Sequence, residues 1–192
     1  MTSLYEPRDS ADIARLIADY PLAWLVSGRF NASPLPLIAE CDASGAVAAL
    51  FGHCALRNAL VGDFRADPRG LILFNGPAAY VPTSLLSKPD WAPTWNYAVL
   101  RFTVEVEFVG DETREAIERL VAKMESGVWS TASLGARYEK MLDQIIAFRA
   151  HVRTVEHSFK LGQDESPQGF AEIVSGHPDR ALAAWMEGQA KR

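Results

Sequence analysis

From Val99 to Val109 the chain alternates: Val104, Val106 and Phe108 fall on one face, Thr103, Glu105 and Glu107 on the other. A period of two marks a β-strand with one apolar and one polar face. Just before this run stands Pro93-Thr94-Trp95-Asn96-Tyr97. Two aromatic rings, an amide and a hydroxyl crowd together there. Such a group offers stacking faces and hydrogen bonds to a flat polar ring.

Shorter strand signals surround this one. Leu22 to Ser27, Leu35 to Glu40, Val47 to Phe51 and Leu71 to Phe74 each read as strands, and Ile145 to Val155 returns to strand-like sequence with Phe148, Ala150 and Val152 on one face. Pro34 and Pro36 each remove a ladder donor, which predicts an edge or an irregular strand. Ile13, Leu16, Ile17 and Tyr20 follow helical spacing, with Asp9 or Ser10 as N-cap and Pro21 forcing the exit. Asp111 to Ser126 is the longest predicted helix. Its stripe is Ile117, Leu120, Val121 and Met124, with Glu112 and Glu115 near the positive end and Lys123 near the other. Cys54 to Gly62 is predicted as a helical turn and loop. Arg137 to Gln144, Phe170 to Val174 and Pro178 to Glu187 are predicted short helices. Many short strands with few helices predict a mainly β barrel, closed or partly open, with peripheral helices. A doubly wound parallel sheet would need a regular strand–helix alternation that the first half lacks.

A length of 192 residues suits one domain, or one with a small appendage, and 48% hydrophobic residues suffice for a real core. The net charge of -5 argues against broad contact with phosphate backbones but leaves room for a local basic patch. Cys41 and Cys54 are too few for a disulfide framework. The N-terminal residues show no apolar signal segment, and no apolar run is long enough for a bilayer. The expected setting is therefore the cytoplasm, with no membrane partner.

Several chemistries have no motif. No G-x-G-x-x-G follows a strand, and there is no phosphate-binding P-loop and no G-x-S-x-G elbow. His53, His151, His157 and His177 lack the spacing of a zinc site. The neighbours His53 and Cys54 would point to opposite faces of a strand, so no metal site is expected. No residue stands out as a catalytic acid or base, and catalytic residues stay unassigned.

What remains is a set of polar groups at predicted strand ends. His53, Arg57 and Asn58 follow one strand and together could hold an anion, Arg57 by charge-assisted bonds to phosphate oxygens. The more ordinary reading is a strand-end histidine, a solvated arginine and a local turn. Gly76-Pro77 breaks another strand before Tyr80. Trp95 and Tyr97 are either ring stackers or packed aromatics, while a buried Asn96 would need partners. Lys160 and Gln163 close the last strand region, where Lys160 is either a solvated cation or a partner for a ligand phosphate or anionic ring.

The order and spacing of these pieces resemble the PaiB-type FMN-binding proteins, described as negative transcriptional regulators. The resemblance runs from Leu4-Tyr5-Glu6-Pro7 through Pro21-Leu22-Ala23-Trp24-Leu25-Val26, Leu35-Pro36-Leu37 and Gly52-His53. It continues through Gly76-Pro77-Ala78-Ala79-Tyr80 and Pro93-Thr94-Trp95-Asn96-Tyr97 to Lys160-Leu161-Gly162-Gln163. It implies a six-stranded antiparallel split barrel over residues 1–163, with 164–192 as a C-terminal helical extension on the barrel or on a dimer partner. It further implies a homodimer with FMN in a groove at the subunit interface. The flavin-binding residues would be His53, Arg57, Asn58, Thr94, Trp95, Asn96, Tyr97, Lys160 and Gln163. Departures from the pattern cluster at the same places. Leu56 stands where the family has arginine, with Arg57 one residue later; Ala59 replaces a proline; the aromatics after Tyr80 are absent; Gly162 and Asp164 replace serine and asparagine. The implied function is FMN binding, with flavin-dependent reduction as its enzymatic form. The alternatives are a non-catalytic regulator and a homodimer that has lost its flavin. DNA stays a weakly supported partner, because about ten residues separate the helices at Asp111–Ser126 and Arg137–Gln144, too many for a helix-turn-helix.

Overall fold

The structure, a computed structural model, describes residues 4–190. The outermost positions of the expected barrel domain and of its C-terminal extension lie outside the described residues. Six strands form one closed barrel: β1 (Leu22–Ser27), β2 (Ala32–Cys41), β3 (Val47–Ala55), β4 (Arg69–Val81), β5 (Thr94–Phe108) and β6 (Ile145–Lys160). Their order around the barrel is β1-β2-β3-β6-β5-β4, and every pairing is antiparallel. This is the six-stranded antiparallel barrel with peripheral helices that the sequence led us to expect.

The alternation in β5 does what its period requires. Val104 and Val106 are buried, while Thr103 and Glu107 are exposed. The barrel interior is filled by Leu25, Leu50, Ile72, Phe74, Leu100, Phe102, Phe148 and Phe159. Phe74 and Phe102 meet edge to face, with centroids 5.9 Å apart. Pro34 and Pro36 pair with β1 alone, opposite Trp24 and Leu22, and pairing with β3 starts only at Leu37. The prolines thus occupy the edge of a strand that is two-sided further on.

Every strand but β1 runs further than the sequence suggests, and three of these extensions bear on the motifs. β3 continues through Gly52, His53 and Cys54 to Ala55, where a turn was expected, because these residues pair with Ile145 to Phe148 of β6. β5 begins at Thr94, so the aromatic motif belongs to the strand itself. β4 passes through Gly76-Pro77 instead of ending there. A bulge between Asn75 and Ala78 absorbs the missing donor of Pro77. Gly76 is required at this bulge, since a Cβ there would lie 2.9 Å from the Ala98 carbonyl oxygen and from Leu16.

The helices α1 (Ser10–Asp19), α2 (Ala59–Ala66), α3 (Thr113–Glu125), α4 (Ala136–Leu142), α5 (Pro167–Gly176) and α6 (Arg180–Ala190) surround the barrel. None of the described helices is long and apolar enough to cross a membrane. Asp9 caps α1 by accepting from the Asp12 amide at 3.2 Å. Along α3 the buried face is Thr113 and Ala116 rather than the predicted stripe, and Met124 is exposed. The small Ala116 packs beside Phe51 and Ala147 on the outer side of the sheet.

From α6, Leu182, Ala183, Trp185 and Met186 enter the same core as the barrel, with Trp185 against Phe159. One polar knot ties α6 to α1. Gln189 Nε2 donates to Asp12 Oδ2 at 2.9 Å, and the Arg8 amide and guanidinium donate to the same carboxylate. Burial pushes the Asp12 pKa up, but the Arg8 bonds outweigh it and hold the carboxyl below its ordinary value. A depressed carboxylate stabilises the fold at neutral pH and loses that contribution as pH falls through its folded pKa. Replacing Asp12 by Ala strips three donors of their acceptor. It is expected to cost about 2–3 kcal/mol in urea unfolding, and Asp12→Asn should flatten the acid limb of the stability profile below pH ~4.

Candidate functional site

Strand alternation divides the aromatic motif. Trp95 is 56% exposed and Tyr97 half-buried on the outer face, whereas Asn96 points inward and is 1% exposed. Asn96 does not join its neighbours as a surface ligand group. Its amide donates to Met186 Sδ at 3.6 Å, beneath α6. The outward rings gain company from both flanking strands. Tyr80 of β4 lies opposite Trp95, their rings tilted with centroids 5.9 Å apart. Lys160 of β6 lies opposite Tyr97. The Lys160 ammonium donates to Thr94 Oγ1 and, at 3.1 Å, to the Trp95 carbonyl. Both acceptors are neutral, so the positive charge is positioned without being cancelled.

A hollow of about 850 Å³ opens beside this face, between Thr94 and Lys160 on one side and Trp91, Glu165 and Glu172 on the other. Its acids are engaged. Glu165 accepts from the Trp91 indole at 3.0 Å, Glu172 from the Ser87 hydroxyl at 2.6 Å, and Asp164 from the Tyr5 hydroxyl at 3.2 Å. Gln163 is occupied too. Its Oε1 accepts from the Leu161 amide at 2.7 Å, and its Nε2 donates to the Phe159 carbonyl. Gly162 takes φ +86° in that turn, and a Cβ there would press on Met186 at 2.9 Å. Gln163 therefore holds the turn that follows Lys160.

The second expected cluster does not converge. Asn58 caps α2 by accepting from the Leu60 amide at 3.0 Å, and its Nδ2 donates to Ser33 Oγ at 2.9 Å. His53 sits on β3 opposite Ala147. Burial lowers its pKa, so it is a neutral imidazole at pH 7 rather than a cation, and its Nδ1 has no hydrogen-bond partner. Burial likewise raises the neighbouring Cys54 thiol to about 11, an unreactive state. Arg57 is exposed on the turn after β3 and faces α4. Cross-strand pairing places His53 near the start of β6 and Lys160 at its end. Within one chain, Thr94, Trp95, Tyr97 and Lys160 share one stretch of the outer sheet, and His53, Arg57 and Asn58 lie away from it.

The sequence matches the family model described as "Putative FMN-binding domain" over residues 1–154. The chain belongs to this FMN-binding family. It is 26% identical over 153 residues to "Protease synthase and sporulation protein PAI 2" of Bacillus subtilis (strain 168), covering 73% of each chain. Among solved structures, the FMN-binding family member resembles the FAD and heme binding protein from Mycobacterium smegmatis. The TM-score is 0.64 at 15% identity, over 88% of this chain and 79% of that one. It also resembles the flavocytochrome Anf3 from Azotobacter vinelandii, with TM-score 0.62 at 11% identity over 80% and 68% of the two chains. At such identities the structural likeness concerns the barrel fold.

Tyr80 and Trp91, which the sequence did not single out as ligand-binding candidates, lie at this face and hollow. The first would follow from pairing β4 with β5; the second carries no local signal. The divided motif has a measurable consequence. Asn96→Ala should destabilise the protein by about 1–2 kcal/mol through its buried amide contacts. Trp95→Ala, at an exposed ring, should stay within about 0.5 kcal/mol. Urea unfolding of both variants tests the order, and the reverse order would contradict the assignment of faces.

Proposed function

We propose that this protein binds FMN as a homodimer, with the flavin ring on the Tyr80, Trp95 and Tyr97 face and Lys160 at its polar edge. The observation that carries this is the face itself: three aromatic side chains and an ammonium without a carboxylate partner, in a member of an FMN-binding family. Half-exposed rings can stack on a planar ligand without a change in the core. When bound, the flavin would supply the redox chemistry. Lys160, steadied by Thr94, would attract negative charge on a reduced ring or a nearby phosphate. No acid or base beside this face is assigned a proton-transfer role, so flavin binding comes before any particular reductase activity.

The dimer accounts for what one chain leaves apart. Leu22 and Trp24 on the outer face of β1 are 60% and 46% exposed, and Trp24 lies opposite Leu73 of β4. A second copy over this apolar face would shield it from water. It could also bring the Arg57 region of one protomer towards the ring face of the other. Cys41 and Cys54 are both free, which suits a reducing cytoplasm. Direct DNA binding draws little support from the outer sheet, where Arg101 pairs with Glu156 and Arg153 with Glu105.

A flavin-free homodimer is the competing possibility, favoured by the structural duties of Asn58 and Gln163. Visible absorbance of the purified protein, before and after FMN addition and removal of excess, separates the two. Flavin bands should be retained, and Trp95→Ala and Lys160→Met should each weaken FMN about tenfold. A colourless dimer that refuses added FMN would sink the flavin proposal.

A further inference from the structure

The charges of this chain are unevenly compensated. Almost every described arginine has a partner. Arg8, Arg15, Arg29, Arg69, Arg101, Arg114, Arg119, Arg149 and Arg153 reach carboxylates. Arg180 donates to the Val174 carbonyl, and Arg65 lies over Phe108. Among the described arginines, Arg57 and Arg137 alone have neither a polar partner nor a ring. Both line the same hollow, of about 520 Å³, together with Lys140, Gln144 and an apolar floor that includes Met141 and Ile145.

Two elements remote in sequence build this hollow. Arg57 stands on the turn after β3, fixed where the Leu56 amide donates to the Gln144 carbonyl and the Asn58 amide to the Ala55 carbonyl. Arg137 and Lys140 lie three residues apart on α4, a spacing that puts both on one helix face. No carboxylate lines the hollow. The nearest acids of α4 are directed elsewhere: Glu139 pairs with Arg114, and Asp143 lines a neighbouring depression. In a chain of net charge -5, three uncancelled cations in one concavity form an isolated positive field.

From this we infer that Arg57, Arg137 and Lys140 form a binding site for a phosphomonoester dianion. Two guanidinium forks and a movable ammonium match the several acceptor oxygens and double charge of such a group. Gln144 adds an amide at the rim. The dianion has two available sources: the phosphate of FMN, reached across a dimer, or a separate phosphorylated ligand. The site itself requires no flavin, so its test is separable from that of the ring face.

Phosphorus NMR titration of inorganic phosphate, at fixed ionic strength, is the test on the full chain. Wild type should broaden and shift the phosphate line saturably, and the Arg137→Gln/Lys140→Gln pair should weaken binding roughly tenfold or more. Lys88→Gln, a remote lysine, should leave it unchanged. Both changed residues are exposed, and unfolding curves without phosphate confirm that the variants fold. Comparing FMN with riboflavin identifies the source. A preference for FMN that collapses in the double variant makes the flavin's own phosphate the occupant. An unchanged preference alongside lost phosphate binding makes it a second ligand. Wild type without saturable phosphate binding, or a double variant that binds as well as wild type, overturns the inference. A protein that takes up no flavin but binds phosphate leaves this site standing and removes only the ring assignment.

Discussion

The double pairing of β6 governs much of this molecule. Its first half lies between β3 and β5, so Phe148 is opposite Gly52 on one side and Phe108 on the other, while its second half pairs with β5 alone. That strand closes the barrel, because it joins the β1–β2–β3 sheet to the β4–β5 hairpin. Gly52 packs closely at this point, where a Cβ would lie 2.6 Å from the Leu37 side chain and 3.1 Å from the Pro36 carbonyl oxygen of β2. Strand β6 places the hollow beside Ile145 at its start and Lys160 at its end. Within one chain the cation hollow and the ring face therefore lie at opposite ends of this strand.

Local pattern made much of the barrel legible. The period of two in β5, the Pro21 exit from α1 and the edge character of Pro34 and Pro36 are all properties of short windows. The long extensions of β3 and β4 were not, because glycine and proline read locally as breakers. Only the partner strands show that Gly52 allows a close approach and that Pro77 falls in a bulge. The site was half legible for the same reason. Trp95 and Tyr97 both lie on the outer face, but nothing local shows that Asn96 is directed beneath α6. Arg137 and Lys140 carry no motif and acquire meaning only from their position opposite Arg57.

Amides divide between ligand and scaffold accordingly. Asn58, Asn96 and Gln163 each looked like groups that could address a polar ring, yet each meets a demand of the fold first. Asn58 satisfies an orphan amide at the start of α2, Gln163 ties the turn after β6, and Asn96 occupies the space under Met186. An unpaired buried amide is costly, so such residues take partners within the fold before any ligand arrives. They still act on function by fixing what stands next to them. Gln163 fixes the turn behind Lys160, and Asn96 anchors β5 to Met186 at the position between Trp95 and Tyr97.

Cations show the complementary division. Arg149 lies between Glu40 and Glu112, and with Arg119 it also covers the Phe51 ring. Its charge is consumed in fastening α3 to the sheet. Lys160 is held instead by a hydroxyl and a carbonyl, and Arg57, Arg137 and Lys140 by neither. A carboxylate partner would cancel the charge and occupy the donors, whereas neutral acceptors orient an ammonium and leave its field intact. The acids near Lys160 are themselves bound to hydroxyl and indole donors rather than to the lysine. Cations without an acid beside them therefore gather at the Arg57, Arg137 and Lys140 hollow near one end of β6, whereas Lys160 at the other end shares its hollow with Asp164, Glu165 and Glu172. An anionic ligand with an aromatic head would find one feature it needs at each.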